Sequence, residues 1–258
     1  MAHAGVDVTV QAITLAAGAG IFGGAMNALA GGGTFATLPA LIALGLPANA
    51  ANATSNVSLL PGAATSAWAF RDELQPLGGV DVRLLAAITF VGGLAGSLLL
   101  VSTPTHLFDL MIPWLLLTAA LVIAFGPRAA AGLHRIVTIG PRTLIVGQAL
   151  LGIYGGYFGG GVGMMLTAAY GLLAHITPRA LFAPRTLMLA VANAAASIVF
   201  VATGLVRWDA GVPMLLGAVL GGWLGAKLGK RLTPGMVRGW TLAVTIVTTI
   251  VFFVRAYG

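Results

Sequence analysis

Long apolar runs bounded by a few charged residues recur along this chain, and they constrain its fold more than any other feature. They predict helices near 8–30, 49–70, 82–102, 107–126, 142–159, 179–206, 209–228 and 235–256. Each helix can cross a hydrocarbon layer roughly 30 Å thick at about 1.5 Å per residue, some only with their flanks. Two shorter apolar stretches cover 34–46 and 162–175. The pattern is typical of an all-α polytopic membrane protein.

The composition agrees with burial in lipid rather than in water. Hydrophobic residues make up 59% of the 258 positions, and charged residues only 7%. A soluble domain carries about a quarter charged residues because its surface faces water. The net charge of +7 is spread along the chain, so we interpret it as charge at helix ends that sets membrane topology, and we expect no nucleic-acid partner. The chain has no cysteine, which excludes disulfides and thiolate metal sites, and we expect neither a cofactor nor a metal ion.

Two glycine triplets mark an internal repeat. Gly31-Gly32-Gly33 precedes the first short stretch, and Gly159-Gly160-Gly161 precedes the second, 128 residues later. Other features recur at nearly the same offset: Asp81 with Asp209 at 128, Gly92 and Gly96 with Gly221 and Gly225 at 129, and Thr54 with Thr186 at 132. The chain is therefore predicted to be a tandem duplication. Its first transmembrane repeat covers 1–126, a cytoplasmic connector covers 127–141, and the second repeat covers 142–258.

The distribution of Lys and Arg predicts how the short stretches lie in the membrane. If both stretches cross it, giving ten elements with both termini outside, eleven basic residues belong to the cytoplasmic side and only Arg207 and Arg255 to the outside. If both stretches enter the membrane and return to the same side, seven basic residues lie on one side and six on the other, which is no bias. The positive-inside rule therefore favours ten crossings of the bacterial inner membrane.

Five crossings per repeat is an odd number, so the two repeats are predicted to have opposite orientations. Each of the two inverted five-helix repeats then contains one short, glycine-interrupted helix. This arrangement is typical of alternating-access secondary transporters, in which the substrate site lies where the broken helices meet. A duplicated membrane scaffold without transport is the alternative.

A glycine triplet inside an apolar run favours a break in the helix. Each glycine costs about 1 kcal/mol of helix stability relative to alanine, and unwound backbone is tolerated at membrane depth only where it is buried in protein or lines a wet cavity. New helices are predicted to begin at Thr34 and near Val162, each presenting free N–H groups and the positive end of its dipole. Two such starts that converge form an anion site from backbone alone. Close helix packing through glycine is the alternative, and it is favoured for the ladder of Gly217, Gly221, Gly225 and Gly229.

Polar residues in the helix after each short stretch are further candidates. Asn52, Ser55 and Asn56 are spaced to fall on one side of a helix, facing the interior. There they either bond neighbouring helices or contact solute, and the sequence leaves both readings open. Arg185 is predicted about a turn and a half inside a helix that begins near Arg179, where its guanidinium fits an oxyanion. The alternative is an arginine that snorkels to the cytoplasmic interface.

The acidic residues indicate which kind of solute is carried. All six lie in predicted loops or at helix ends: Asp7, Asp72, Glu73, Asp81, Asp109 and Asp209. Without a mid-membrane carboxylate, a cation pump or a carboxylate proton relay is not expected. A buried cation without a buried anion favours an anionic substrate. The same absence, together with the lack of cysteine, disfavours an intramembrane enzyme.

The sequence around both glycine triplets resembles the TauE/SafE sulfite-exporter family of membrane transporters. The resemblance rests on 30–39, 44–47 and 53–55 in the first repeat, and on 155–161, 178–180 and 185–186 in the second. It covers nearly the whole chain and implies transport of small sulfur-containing anions such as sulfite or organosulfonates. By matching position, it implies these substrate-binding residues: Gly31, Gly32, Gly33, Thr34, Asn52, Thr54, Ser55, Gly159, Gly160, Gly161, Arg185 and Thr186. The repeats differ, since Thr167 replaces Pro39 and Arg185 replaces Ala53, so the implied site is asymmetric.

We therefore expect a secondary transporter that moves small sulfur-containing anions across the inner membrane by alternating access, and not an enzyme. Its partners are then a small anionic substrate and the lipid bilayer. A passive anion channel and a transporter of another small organic anion are the alternatives. The glycine stripes at 92–96 and 217–229 are either seams within one chain or the face of a homodimer.

Overall fold

The computed structural model describes residues 9–133, 140–171, 181–229 and 231–258, without the side chains of 127–133 and 234. These ranges contain ten α-helices: α1 Val10–Ala30, α2 Thr34–Ala43, α3 Ala48–Ala69, α4 Val82–Ser102, α5 Thr105–Leu133, α6 Pro141–Tyr157, α7 Val162–Gly171, α8 Phe182–Ala202, α9 Trp208–Gly229 and α10 Pro234–Tyr257. A single 3₁₀ turn, Arg71–Glu73, follows α3. The predicted all-α fold is confirmed.

Six of the described helices are long and apolar enough to cross a membrane: α1, α4, α5 over Thr105–Gly126, α8, α9, and α10 over Gly235–Tyr257. The other two helices predicted to be full-length fall outside this group for different reasons. Helix α3 has 22 residues, but its first half is rich in asparagine, serine and threonine. Helix α6 stops after 17 residues because the second glycine triplet follows it. The two short helices, α2 and α7, have ten residues each.

Two predicted boundaries differ from the structure. Helix α5 continues through Pro127 to Leu133, so its backbone extends seven residues into the predicted connector, of which 134–139 lie outside the described residues. Helix α8 begins at Phe182 rather than near Arg179, which also lies outside the described residues. The later start places Arg185 in the first turn of α8, so its predicted depth of a turn and a half is wrong.

Side-chain and backbone contacts give the relative directions of several helices. Thr54 and Ser58 of α3 contact Arg207 and Gly211 in that order, so α3 and α9 run parallel. In α5, Asp109 pairs with Arg255 while Ile123 contacts Arg238, so α5 and α10 run antiparallel. Both relative directions are the ones expected if all ten helices cross the membrane in alternating directions. If the short helices returned without crossing, α3 and α9 would instead run antiparallel.

Glycine seams join each half of the chain to the other half. A Cβ added at Gly217, Gly221 or Gly225 of α9 would collide with the backbone of Ala17, Ile21 or Ala25 of α1, respectively. The same close approach occurs between α4 and α6, where Gly93 faces Gly156. Backbones in such direct contact are the signature of small-residue packing in membranes. The predicted packing role of the α9 ladder is therefore confirmed at these three positions, and both glycine stripes form seams within one chain.

The side chain of Arg238 replaces a hydrogen bond that is lost at a proline near the C-terminal end of α5. Proline lacks a backbone N–H, so Pro127 cannot donate to the carbonyl of Ile123 four residues earlier. The Arg238 guanidinium of α10 donates to this carbonyl through Nε at 2.8 Å and to that of Ala124 through Nη2 at 2.6 Å. The hydrogen bond missing from α5 is thus supplied by α10.

Candidate functional site

The breaks at the two glycine triplets lie in contact. Gly31 ends α1 with φ of 71°, and Gly159 and Gly161 have φ of 74° and 75°, a left-handed conformation that favours glycine. A Cβ added at Gly31 would lie 2.6 Å from the Cα of Gly163, and one added at Gly163 would lie 2.7 Å from the Cα of Gly31. Only glycine at both positions permits this approach. The convergence that was expected from the sequence is present in the fold.

Both breaks leave backbone donors open. Within the described ranges, no hydrogen bond is donated by the N–H groups of Gly32, Gly33 and Thr34 in the first break, or of Gly160, Gly161 and Gly163 in the second. The first three groups precede or begin α2, and the other three precede or begin α7. Unpaired N–H groups at helix starts attract anions through their own dipoles and through the helix dipole.

Phe35 fills the space between the two breaks. The side chain is almost completely buried. A Cβ added at Gly32 would lie 3.1 Å from the Phe35 ring, and one added at Gly161 would lie 2.8 Å from its Cζ. The corresponding residue of the second repeat is Gly163, 128 positions later, which has no side chain. The Phe35 ring of the first repeat therefore lies between the two breaks.

Polar side chains of α3 connect to the second break and to α8. Asn52 donates through Nδ2 to the carbonyl of Tyr157, the last residue of α6, at 3.1 Å. Asn56 donates to Oδ1 of Asn193 at 3.4 Å and accepts from the Ser197 hydroxyl at 3.1 Å. The Asn193–Ser197 pair, four residues apart in α8, is not among the residues implied by the resemblance. Its helical spacing is the sequence signal that points to it.

Ser55 is also engaged within the protein. Its hydroxyl shares a hydrogen bond of 2.5 Å with Thr37 of α2, and Thr37 in turn donates to the carbonyl of Gly33 at 3.2 Å. Ser55 thus fixes the start of α2 against α3. Thr37 was not predicted as a site residue, and only its place in α2 brings it to Ser55.

Arg185 is buried in the first turn of α8, the helix that contacts the first break through Leu189. Its side chain is 7% exposed, and its Cζ lies 4.5 Å from the centroid of the Phe182 ring. In the part of the chain that the structure describes, the Nε atom has no hydrogen-bond partner. Leu189, one turn further along α8, lies 3.3 Å from the position of a Cβ at Gly31. The backbone of Arg185 therefore lies one turn of α8 before Leu189, while its guanidinium extends in the opposite direction over Phe182, which packs against Phe70 at the end of α3.

Thr54 and Thr186, which occupy matching positions in the two repeats, do not form hydrogen bonds with residues of the two breaks through their hydroxyl groups. Thr54 accepts a hydrogen bond from the backbone N–H of Arg207 at 2.9 Å, and Thr186 donates to the carbonyl of Ala183 at 2.9 Å. Because Arg207 follows the C-terminal end of α8, Thr54 lies near that end. Arg185 lies in the first turn of α8, about 25 Å away along the helix at about 1.5 Å per residue. The third predicted threonine, Thr34, is buried at the first position of α2, within the first break.

A bundle of apolar helices that holds unwound backbone and open polar donors in its interior is the architecture of a multi-pass membrane transporter. The chain belongs to the sulfite exporter TauE/SafE family, whose model matches residues 16–252. The family resemblance seen around the glycine triplets is thereby confirmed.

Curated relatives from three bacteria carry transporter names. A probable membrane transporter protein of Haemophilus influenzae is 27% identical over 216 residues, covering 83% of this chain and 84% of the relative. The probable membrane transporter protein YfcA of Escherichia coli K12 is 29% identical over 199 residues, covering 76% and 73%. The probable membrane transporter protein ORF9 of a Sinorhizobium species is 29% identical over 205 residues, covering 78% and 77%. No solved structure matches the chain.

Proposed function

We propose that this protein is a secondary transporter of small sulfur-containing anions, such as sulfite or organosulfonates, in the bacterial inner membrane. The substrate oxyanion binds at the junction of the two breaks once the Phe35 ring has moved aside. There the open N–H groups of 32–34 and of 160, 161 and 163 surround it, and Arg185, in the helix that contacts the first break, supplies positive charge. Asn52 and Ser55 hold the elements on either side of the junction.

The observation that carries the proposal is the contact between two breaks whose backbone donors are open, beside a helix that holds the buried Arg185 with an unpartnered Nε. A buried guanidinium without a counter-ion is costly, and a bound anion removes that cost. The planar fork of arginine matches the geometry of an oxyanion. Arg185 also lies in the first turn of α8, where the helix dipole adds to the positive potential.

Alternating access by two inverted repeats is the proposed mechanism. The parallel pair α3–α9 and the antiparallel pair α5–α10 support a strict alternation of ten helices, which places the repeats in opposite orientations. Both termini then lie on the outer side, as the distribution of Lys and Arg favours. Opposed repeats around one site can expose it to each side in turn.

The test is flux of labelled sulfite and organosulfonates into liposomes that contain the purified protein, with empty liposomes as background. We expect saturable uptake that is accelerated by unlabelled substrate inside, since a carrier exchanges its substrate. Arg185→Ala is expected to reduce uptake to background without loss of folded protein. Arg231→Ala is the matched control, because Arg231 is an exposed arginine near the start of α10. Uptake without acceleration by internal substrate would indicate a channel, and near-normal uptake by Arg185→Ala would refute the role of that residue.

A further inference from the structure

Two buried side-chain atoms in the described ranges lack a hydrogen-bond partner, and they have opposite polarity. One is the donor Nε of Arg185, and the other is the acceptor Oδ1 of Asn52. Asn52 is 1% exposed. A buried acceptor without a donor costs free energy that neither the hydrophobic effect nor packing returns. The charged head of an anion held by the open backbone N–H groups of the two breaks would repel the open oxygen of Asn52, so this oxygen requires a hydrogen-bond donor.

The orientation of the Asn52 amide is set by its neighbour. Its Nδ2 donates to the carbonyl oxygen of Tyr157 at 3.1 Å. The flipped amide would place two acceptor oxygens against each other at that distance, so Oδ1 is the atom that stays open. The carbonyl of Tyr157 belongs to the last residue of α6, where the negative end of the helix dipole lies. The surroundings of Oδ1 therefore favour a hydrogen-bond donor.

The other polar side chains of α3 near this point already have partners. Ser55 bonds Thr37, and both heteroatoms of the Asn56 amide are bonded to α8. Asn52 also contacts the residue that directly precedes the second break, on the opposite side of that break from α7. Asn56, one turn further along α3, has its Nδ2 3.5 Å from the position of a Cβ at Gly159, so Asn52 lies beside the second break.

We propose that Oδ1 of Asn52 accepts a hydrogen bond from the transported anion, so that the site selects small anions that carry an O–H or N–H group besides their charged head. This inference rests on the proposed function and narrows its substrate class. An anion without such a donor would leave the oxygen buried and unpaired, and sites built around a substrate donor discriminate strongly against analogues that lack it.

Matched anions that differ in one donor test the inference in the full-length protein. 2-Hydroxyethanesulfonate is compared with ethanesulfonate, and glycolate with acetate, by ligand-induced stabilisation in thermal unfolding. In each pair that binds, we expect the anion with the donor to bind about 10-fold to 100-fold more tightly than the anion without it. This factor is the difference between a buried acceptor that is paired and one that is left unpaired.

The variant Asn52→Leu, which removes the acceptor at similar size, is expected to bind both members of a pair equally. If this variant does not fold, the discrimination by the wild-type protein decides on its own. Equal affinity within the sulfonate pair would overturn the inference while leaving sulfonate transport intact. Discrimination in the carboxylate pair without any sulfonate binding would support the inference and refute the proposed substrate class. Absence of binding by every tested anion would refute both.

Discussion

The close packing of α1 against α9 predicts that alanine substitutions at Gly221 and Gly222, adjacent residues of α9, have different effects on stability. In Gly221→Ala the new Cβ would overlap the carbonyl oxygen of Ile21 and lie 2.7 Å from its Cα. Carbon atoms in ordinary contact are about 3.5–4.0 Å apart, so the two helices must separate by more than about 1 Å. In Gly222→Ala the nearest atom to the new Cβ is the carbonyl oxygen of Gly24 at 3.9 Å, an ordinary contact. The second variant is therefore the control for the first.

The comparison of Gly221→Ala with Gly222→Ala isolates the free-energy cost of overpacking the contact between α1 and α9. Both substitutions replace glycine by alanine inside α9, so the gain in helix propensity, about 1 kcal/mol each, cancels in the comparison. Overpacking a close contact costs about 1–3 kcal/mol. At about 3 °C per kcal/mol for a chain of this size, the midpoint of Gly221→Ala should lie roughly 3–9 °C below that of Gly222→Ala.

Thermal unfolding in lipid nanodiscs, followed by tryptophan fluorescence, measures this difference directly. The chain has five tryptophans and no cysteine, so intrinsic fluorescence is the suitable probe. Both variants are measured beside the wild-type protein at one heating rate, since unfolding of membrane proteins is often irreversible. Equal midpoints, or a higher midpoint for Gly221→Ala, would show that α1 and α9 do not pack through Gly221.

Two further substitutions test other parts of the fold by the same thermal assay. Arg238→Ala should lower stability by about 1–2 kcal/mol, because the carbonyl of Ile123 is left without a donor. Adding Pro127→Ala should restore most of this loss by returning a backbone N–H, and a double variant no more stable than Arg238→Ala would contradict this explanation. Phe35→Ala should cost about 2–4 kcal/mol through the cavity left at the junction, with the exposed Phe125→Ala as its control, and equal midpoints for these two variants would refute the packing of Phe35 between the two breaks.

The sequence predicted the elements of this fold well because each has a strong local signal. Apolar runs determine the helices, and the glycine triplets determine the breaks, since three glycines cannot sustain a helix in that context. The helical spacing of Gly217, Gly221 and Gly225 also predicted a packing face. These features depend on residues close together in the chain, which is why a single sequence reveals them.

The roles of individual polar residues depend on distant partners, and the sequence could not supply these. Thr54 and Thr186 match in the repeat, yet the first accepts from the N–H of Arg207 and the second bonds within its own helix. Ser55 was predicted to face the interior, but its partner Thr37 lies on another helix. The open oxygen of Asn52 becomes visible only when the position of Tyr157 is known.

The glycine seams, which join each half of the chain to the other half, have a consequence for how the protein is synthesised and assembled. Helix α1 packs against α9, which leaves the ribosome about 180 residues later. At about 5–20 residues per second, α1 waits roughly 10–40 s in the bilayer before its partner is synthesised. During this interval its glycine face is covered by lipid or by the insertion machinery. A ribosome stalled before α9 should therefore yield a chain that is inserted but not assembled, and separately synthesised halves should become stable only when both are present in one membrane.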